Sequence, residues 1–245
     1  MKIYVGTSGY GYKEWKGRFY PAKIKAAEML RFYSERLGTV EINNTFYRMP
    51  KENVLASWAE QVPDDFIFAL KAPQVITHLK RLKNVDAETE HLFGSLAVLD
   101  KKLGPVLFQL PKSFHMDRNA LGDFLSLIPG NISCAFEFRS PSWLDVEILD
   151  LLRKNGCSLC IADVDELPAD EIISTASWGY LRLRRSAYTD ADLSKWVERI
   201  LSQKWKRAFI FFKHEEEAIG PETAMRFREL VDSRGKKSKT VKSRP

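Results

Sequence analysis

The run CAFEFRSPSWLDVEILDLLRKNGCSLCIAD, residues 134–163, decides the fold. It opens on a strand-like segment, CAFEFR from Cys134, and closes on another, SLCIAD from Ser158. Between them Ser142 can cap a helix that ends before Gly156, the residue best able to turn the chain at a helix C-terminus. Strand, helix and strand within about thirty residues make one βα unit of a parallel sheet. Outward from this unit the rhythm repeats: IYVGTS from Ile3, TVEIN from Thr39, FIFALK from Phe66, VLFQL from Val106, YLRLRR from Tyr180 and AFIFFK from Ala208. Eight such units close into a barrel rather than an open doubly wound sheet. The expectation is a single (β/α)8 TIM-type barrel over residues 1–233.

The intervening segments carry apolar residues at helical period, Val54, Leu55, Trp58, Ala59 and Val62 in one, Leu193, Trp196, Val197, Ile200 and Leu201 in another. Thr189 is placed to cap the latter helix, and Pro221 suits the first turn of the last one. Residues 164–176, VDELPADEIISTA, are too short and proline-broken for a full helix, so an abbreviated crossover is expected between strands six and seven.

The 245 residues, 44% of them hydrophobic, suffice for one large core. No apolar run nears the roughly 18 residues of a membrane span, and MKIYVGTSGY lacks the layout of a signal peptide. With three cysteines, an odd number, the chain is expected to be cytoplasmic, with no membrane partner. The net charge of +6 points at nucleic acid only until it is located. Of 38 lysines and arginines, six lie in residues 234–245, which hold no acid; the other 32 match 32 aspartates and glutamates. That twelve-residue segment is expected to be a disordered basic tail on an electrically neutral body.

In a closed barrel alternate strand residues face the interior, apolar below and open to ligand at the C-terminal rim. Phe136 and Phe138 suit the helix-facing side, which turns Glu137 and Arg139 inward. By the same parity Glu41 and Asn43 point inward, as does Lys71 above Ile67 and Ala69. Gln109 follows Leu107, Asp163 follows Ile161, Arg182 and Arg184 follow Tyr180, and Lys213 ends the eighth strand. Charge so deep is costly unless paired or used. The paired alternative is a plug of internal salt bridges, such as Glu41 with Lys71 or Glu137 with Arg184. The used alternative is a ligand site, whose cluster of Lys71, Arg139, Arg182, Arg184 and Lys213 favours an anionic group. Glu41, Lys71, Glu137 and Asp163 are the candidate catalytic residues. The two glutamates would serve as acid and base, and Lys71 as a base or amine nucleophile if its pKa is depressed.

Other motifs read less specifically. GTSGYG is neither a Walker loop nor a GxGxxG fingerprint, so no nucleotide cofactor is implied. The aromatic loop Tyr10 to Pro21 reads as a lid or wall at the barrel mouth rather than a phosphate nest. Cys157 and Cys160, three apart on a strand, point to opposite faces and read as buried thiols, not metal ligands. His91 and His115 fall away from the rim, leaving His78 and His214 near it, too few imidazoles for a polynuclear zinc site. One divalent cation on Glu41, Glu137 or Asp163 stays open. Cofactor and oligomeric state are otherwise unknown.

Long, idiosyncratic strings resemble the YecE-like proteins, a family of unknown function built as a TIM-type barrel. They are GTSGYGYKEWKGRFYP at Gly6 to Pro21, TVEINNTFYRMP at Thr39 to Pro50, FIFALKAPQVITH at Phe66 to His78, KLGPVLFQLPKSF at Lys102 to Phe114 and FEFRSPSW at Phe136 to Trp143. The resemblance implies shared rim residues: Thr7, Ser8, Glu41, Asn43, Thr45, Tyr47, Lys71, Gln109, Glu137, Arg139 and Asp163. It implies no reaction. The chain departs from the family pattern in having Arg184, Arg185 and Ser186 where a His-Gly pair is expected, and FFKHEEEAIGPETA from Phe211 where an Asn-rich FNND is expected. The expected ligand binders are therefore Thr7, Ser8, Asn43, Thr45, Tyr47, Gln109, Arg139, Arg182, Arg184 and Lys213. The leading function is an enzyme acting on a small phosphate- or carboxylate-bearing ligand by acid-base or electrostatic catalysis. The alternatives are a nucleic-acid binder or phosphodiesterase, for which the rim arginines, Tyr12 and Trp15 argue, and a non-catalytic regulatory or scaffold barrel.

Overall fold

The computed structural model describes residues 1–169, 171–213 and 218–241, the last seven by their backbone. Eight strands, β1 (Lys2–Ser8), β2 (Thr39–Ile42), β3 (Ile67–Lys71), β4 (Leu103–Leu110), β5 (Cys134–Phe138), β6 (Ser158–Asp163), β7 (Trp178–Leu183) and β8 (Arg207–Phe212), run parallel in sequence order. The barrel closes where Lys2 to Thr7 of β1 pair with Arg207 to Phe212 of β8. Closure leaves no strand edge unpaired. Around it lie α1 (Met29–Ser34), α2 (Glu52–Glu60), α3 (Asp86–Leu96), α4 (Arg118–Ser126), α5 (Val146–Lys154), α6 (Asp190–Leu201) and α7 (Ile219–Val241). No helix joins β6 to β7 among the described residues, which is the abbreviated crossover. The backbone of α7 runs on into the segment read as a tail; residues 242–245, like His214, lie outside the described residues.

The interior is packed by pairing bulk with smallness. Tyr4 stacks on Phe209 at 4.7 Å and Tyr180 tilts against Phe211 at 5.2 Å, filling the β7, β8 and β1 side. Across from them sit Ala69, Leu107, Ala135 and Cys160. Above these filled layers the charged groups gather toward the strand C-termini. Outside, Phe68, Phe108, Phe136, Leu181 and Phe212 join the helices in the larger core.

Local signals were partly displaced. The cap of α5 is Asp145, whose carboxylate accepts the Glu147 N–H, while Ser142 sits in a 3-10 turn and accepts the Met116 N–H, tying two rim loops together. Thr189 does cap α6, in a reciprocal box with Asp192. Val54 and Leu201 fall outside the buried stripes. Cys160 lies in the barrel interior and Cys157 in the outer core, both free and buried, and burial pushes the Cys157 thiol up to about 12. Gly9, at φ +89°, turns the chain out of β1; a Cβ there would meet the Tyr12 hydroxyl at 2.5 Å. The loop beyond it packs Trp15, Phe19 and Tyr20 against Phe32 and Tyr33 as a wall. Trp15 is only 1% exposed, so it is unavailable for stacking on a nucleic-acid base.

One parity assignment is corrected. Cys160, not Ile161, faces the interior of β6. Asp163 therefore follows Ile161 onto the outer face, away from the rim interior.

Candidate functional site

Arg182 organises the barrel top. Its side chain, 3% exposed, crosses the barrel from β7, giving Nη2 to Glu41 Oε1 at 2.9 Å and Nη1 to Glu137 Oε2 at 2.5 Å. Glu41 is fully buried and its oxygens also accept Ser8 Oγ–H at 2.7 Å, Asn43 Nδ2–H at 3.0 Å and Tyr180 O–H at 2.7 Å. Burial alone would raise its pKa, but Arg182 and these donors outweigh it and hold the carboxyl below its ordinary value. Glu137 follows the same balance. Burial pushes its carboxyl up, while Arg182 and Arg139 pull it down to about 2. Arg139 Nε comes to 2.6 Å of Oε1 as an ion pair without hydrogen-bond alignment, and Arg184 Nη1 stays 4.0 Å away. Of the two expected salt bridges, Glu41 with Lys71 is not formed, and Glu137 with Arg184 is only a long contact.

Lys71 ends β3 in different surroundings. Its Nζ donates to Gln109 Oε1 at 2.9 Å and stands 3.9 Å over the centre of the Phe46 ring. No carboxylate lies within 4.0 Å of it among the described residues. Burial is the main cause that lowers its pKa to about 8, with the Arg182 charge adding to it and Glu137 and Glu41 opposing. His78, on a π-turn over Val75–Leu79, meets Phe46 edge-on at 4.8 Å, and burial and the Lys71 charge lower its pKa too.

Above these groups opens a cavity of about 350 Å³, lined by Tyr12, Asn43, Asn44, Phe46, Tyr47, Lys71, Gln109, Arg139, Arg182, Arg184 and Lys213. Arg182 Nε, Arg184 Nε and Arg184 Nη1 are buried without a hydrogen-bond partner. Buried N–H groups are rarely left so, because each forfeits its water without compensation. A larger cavity of about 840 Å³ lies where β4 and β8 begin, beside Gly104, Ser133 and Arg207, and touches none of the expected site residues.

The expected residues divide cleanly. Ser8, Glu41, Asn43, Lys71, Gln109, Glu137, Arg139, Arg182, Arg184 and Lys213 converge on the rim interior or its cavity. Tyr47 stands at the cavity edge, 71% exposed. Thr45 braces backbone, donating to the Lys71 carbonyl at 2.7 Å. Thr7 faces the helices, where its N–H and hydroxyl meet the Tyr33 hydroxyl. Asp163 is buried behind the rim, accepting from Arg185 Nε at 2.8 Å, Tyr188 O–H at 2.8 Å, Trp196 Nε1 at 3.3 Å and the Ala169 N–H at 2.9 Å. Glu41, Glu137 and Asp163 therefore do not converge as cation ligands; the first two meet a guanidinium and the third faces away. Among the described residues no group of three metal-ligating side chains comes together. Phe46, Asn44 and Tyr180 were not foreseen. Tyr180 shares the inward parity of Arg182, and Phe46 lies between two expected residues.

Because Asp163 serves the outer layer, Tyr188→Phe is expected to cost about 2 kcal/mol, the loss of the charge-assisted hydrogen bond to Asp163 and of the weaker one accepted from the Arg185 N–H. Urea denaturation measures it. Ligand response at the rim should be unchanged, and a changed response would return Asp163 to the site.

The class is thus a (β/α)8 barrel with a guanidinium-rich rim cavity. The family model for "Protein of unknown function DUF72" matches residues 4–245, and the chain belongs to that family. It is 30% identical to the UPF0759 protein YecE of Escherichia coli (strain K12) over 142 residues, 58% of this chain and 50% of that protein. It is also 30% identical to the UPF0759 protein YunF of Bacillus subtilis (strain 168) over 177 residues, 67% of this chain and 62% of that protein. The matched segment thus spans about half the length of YecE. A crystal structure of a DUF72 family protein from Thermotoga maritima superimposes with a TM-score of 0.83 at 26% identity, covering 95% of this chain and 100% of that one. A D-psicose 3-epimerase shares the fold alone, at a TM-score of 0.55 and 11% identity. No helix among the described residues is long and apolar enough to cross a membrane.

Proposed function

We propose that the rim cavity binds a small anionic ligand, carboxylate or phosphate, as the substrate of an acid-base reaction. The observation that carries this reading is the set of buried, unpartnered N–H groups on Arg182 and Arg184 beside the cavity. A planar guanidinium with free N–H groups matches the oxygens of such an anion. The local charge agrees, since Lys71, Arg139, Arg182 and Arg184 face only Glu41 and Glu137 among the described residues.

Within this reading the glutamates are positioning residues. Both are ionised and both grip Arg182, which occupies the space a glycoside would need between an acid and a base. Lys71 is the lining group able to change protonation state near neutral pH, so proton transfer falls to it.

Thermal denaturation tests the reading with phosphate, sulfate and pyruvate against potassium chloride at matched ionic strength. At least one of the three should raise the midpoint by several degrees at saturation. Arg184→Met should weaken that response about tenfold or more, the loss of one charged hydrogen bond. No response to any of them, or an undiminished response in the variant, sinks the reading.

A further inference from the structure

We propose that the Lys71 amine forms an imine with the carbonyl carbon of an anionic oxo compound, a small aldehyde or ketone bearing a carboxylate or phosphate. This rests on the anion reading and names the substrate class for the same site.

A lysine that merely plugs a barrel is expected to pair with the nearest buried carboxylate. Here Glu41 and Glu137 are both taken by Arg182, and the Lys71 nitrogen has one acceptor, Gln109 Oε1, and one aromatic face, Phe46. An ammonium has three protons to place, whereas a neutral amine satisfied through one of them keeps a lone pair for reaction. The nitrogen is partly buried with no acid beside it, and that desolvation activates amine nucleophiles, outweighing the attraction of the Phe46 face for the charged form. Its lowered pKa agrees. Arg182 and Arg184, which carry the buried unpartnered N–H groups, line the same cavity, so an anion drawn to their guanidinium groups brings its attached carbonyl to the amine.

The step balances without a redox partner. The nitrogen lone pair attacks the carbonyl carbon, the C–O π pair moves to oxygen, and that oxygen gains a proton as the nitrogen loses one. The carbinolamine then takes a further proton and expels water as the C=N bond forms. Amine, carbonyl and one proton give iminium and water, with protons exchanged through solvent in the open cavity.

The test treats the full chain with pyruvate or with dihydroxyacetone phosphate, then with sodium borohydride, and maps the adduct by mass spectrometry. Near-stoichiometric adduct at Lys71 is expected with at least one of the two. Which one traps tells carboxylate from phosphate. Inorganic phosphate should suppress trapping several-fold, and Lys71→Met, shown to be folded by its own cooperative thermal transition, should give no site-specific adduct. Absence of adduct at Lys71, or labelling spread equally over other lysines, overturns the imine. If phosphate still stabilises the protein in that case, the anion reading stands. If phosphate, sulfate and pyruvate also fail to stabilise it, both fall.

Discussion

Arg182→Met is expected to cost about 3–5 kcal/mol, a large part of the 5–15 kcal/mol typical of a folded domain. The residue is the common cation of two buried carboxylates, and removing it leaves both charges in a medium that cannot solvate them. Donors from Ser8, Asn43 and Tyr180 soften the loss at Glu41, and Arg139 softens it at Glu137. Lysine is not expected to rescue, since a point charge cannot span two carboxylates as a planar fork does. The pH dependence has a definite sign. In the native protein both carboxyls lie below their unfolded values, Glu137 at about 2, so they stabilise the fold above about pH 4.3 and lose that contribution as pH falls toward 2. Without Arg182 the same carboxyls are driven up by burial and favour protonation. The deficit of the variant should be greatest at neutral pH and shrink in acid. Urea denaturation at pH 7 and pH 4 reads this directly. A loss below about 1 kcal/mol, or one indifferent to pH, would show that Arg182 does not hold the two charges.

That ion triad marks the boundary of what the sequence could show. Strand parity placed Glu41, Lys71, Gln109, Glu137 and Arg182 on one interior because their strands alternate clearly, with Phe66, Phe68 and Leu70 or Phe136 and Phe138 supplying an unmistakable outer face. Parity assigns a face but no partner. Whether Glu41 meets Lys71 on the next strand or Arg182 across the barrel depends on side-chain reach and on strand stagger, neither of which is written in hydropathy. Asp163 failed for a different reason. SLCIAD is apolar on both faces, as strands buried on both sides tend to be, so hydropathy does not separate Cys160 from Ile161 as the inward residue. Thr7 was carried over as a ligand group from a shared motif; its hydroxyl instead joins β1 to α1 through Tyr33. The unpartnered N–H groups of Arg182 and Arg184 had no signal in the sequence, because an unmet hydrogen bond exists only in three dimensions.

The sharpest separation of a working lysine from a structural one is that removing it should make the protein more stable. Lys71→Met is expected to raise stability by about 2 kcal/mol at pH 7. The native pKa of about 8 lies below the roughly 10.4 of an unfolded lysine, so folding disfavours the charged form. Below pH 8 the amine is charged in both states and the fold carries the whole penalty. Between about pH 8 and 10.4 the unfolded chain binds more protons than the native one, so native stability rises with pH until the penalty is gone. That interval corresponds to about 3 kcal/mol, reduced to about 2 because the side chain is partly open to solvent. Methionine keeps the stem packed over Phe46 and removes the charge, at the cost of the bond to Gln109. The gain should therefore be present at pH 7 and fade by pH 10. Were Lys71 there to neutralise Glu41 or Glu137, its removal would destabilise the fold at pH 7. A group that the fold holds at a loss, beside buried guanidinium N–H groups without partners, is what the proposed ligand role of Lys71 requires and what a purely structural role would not.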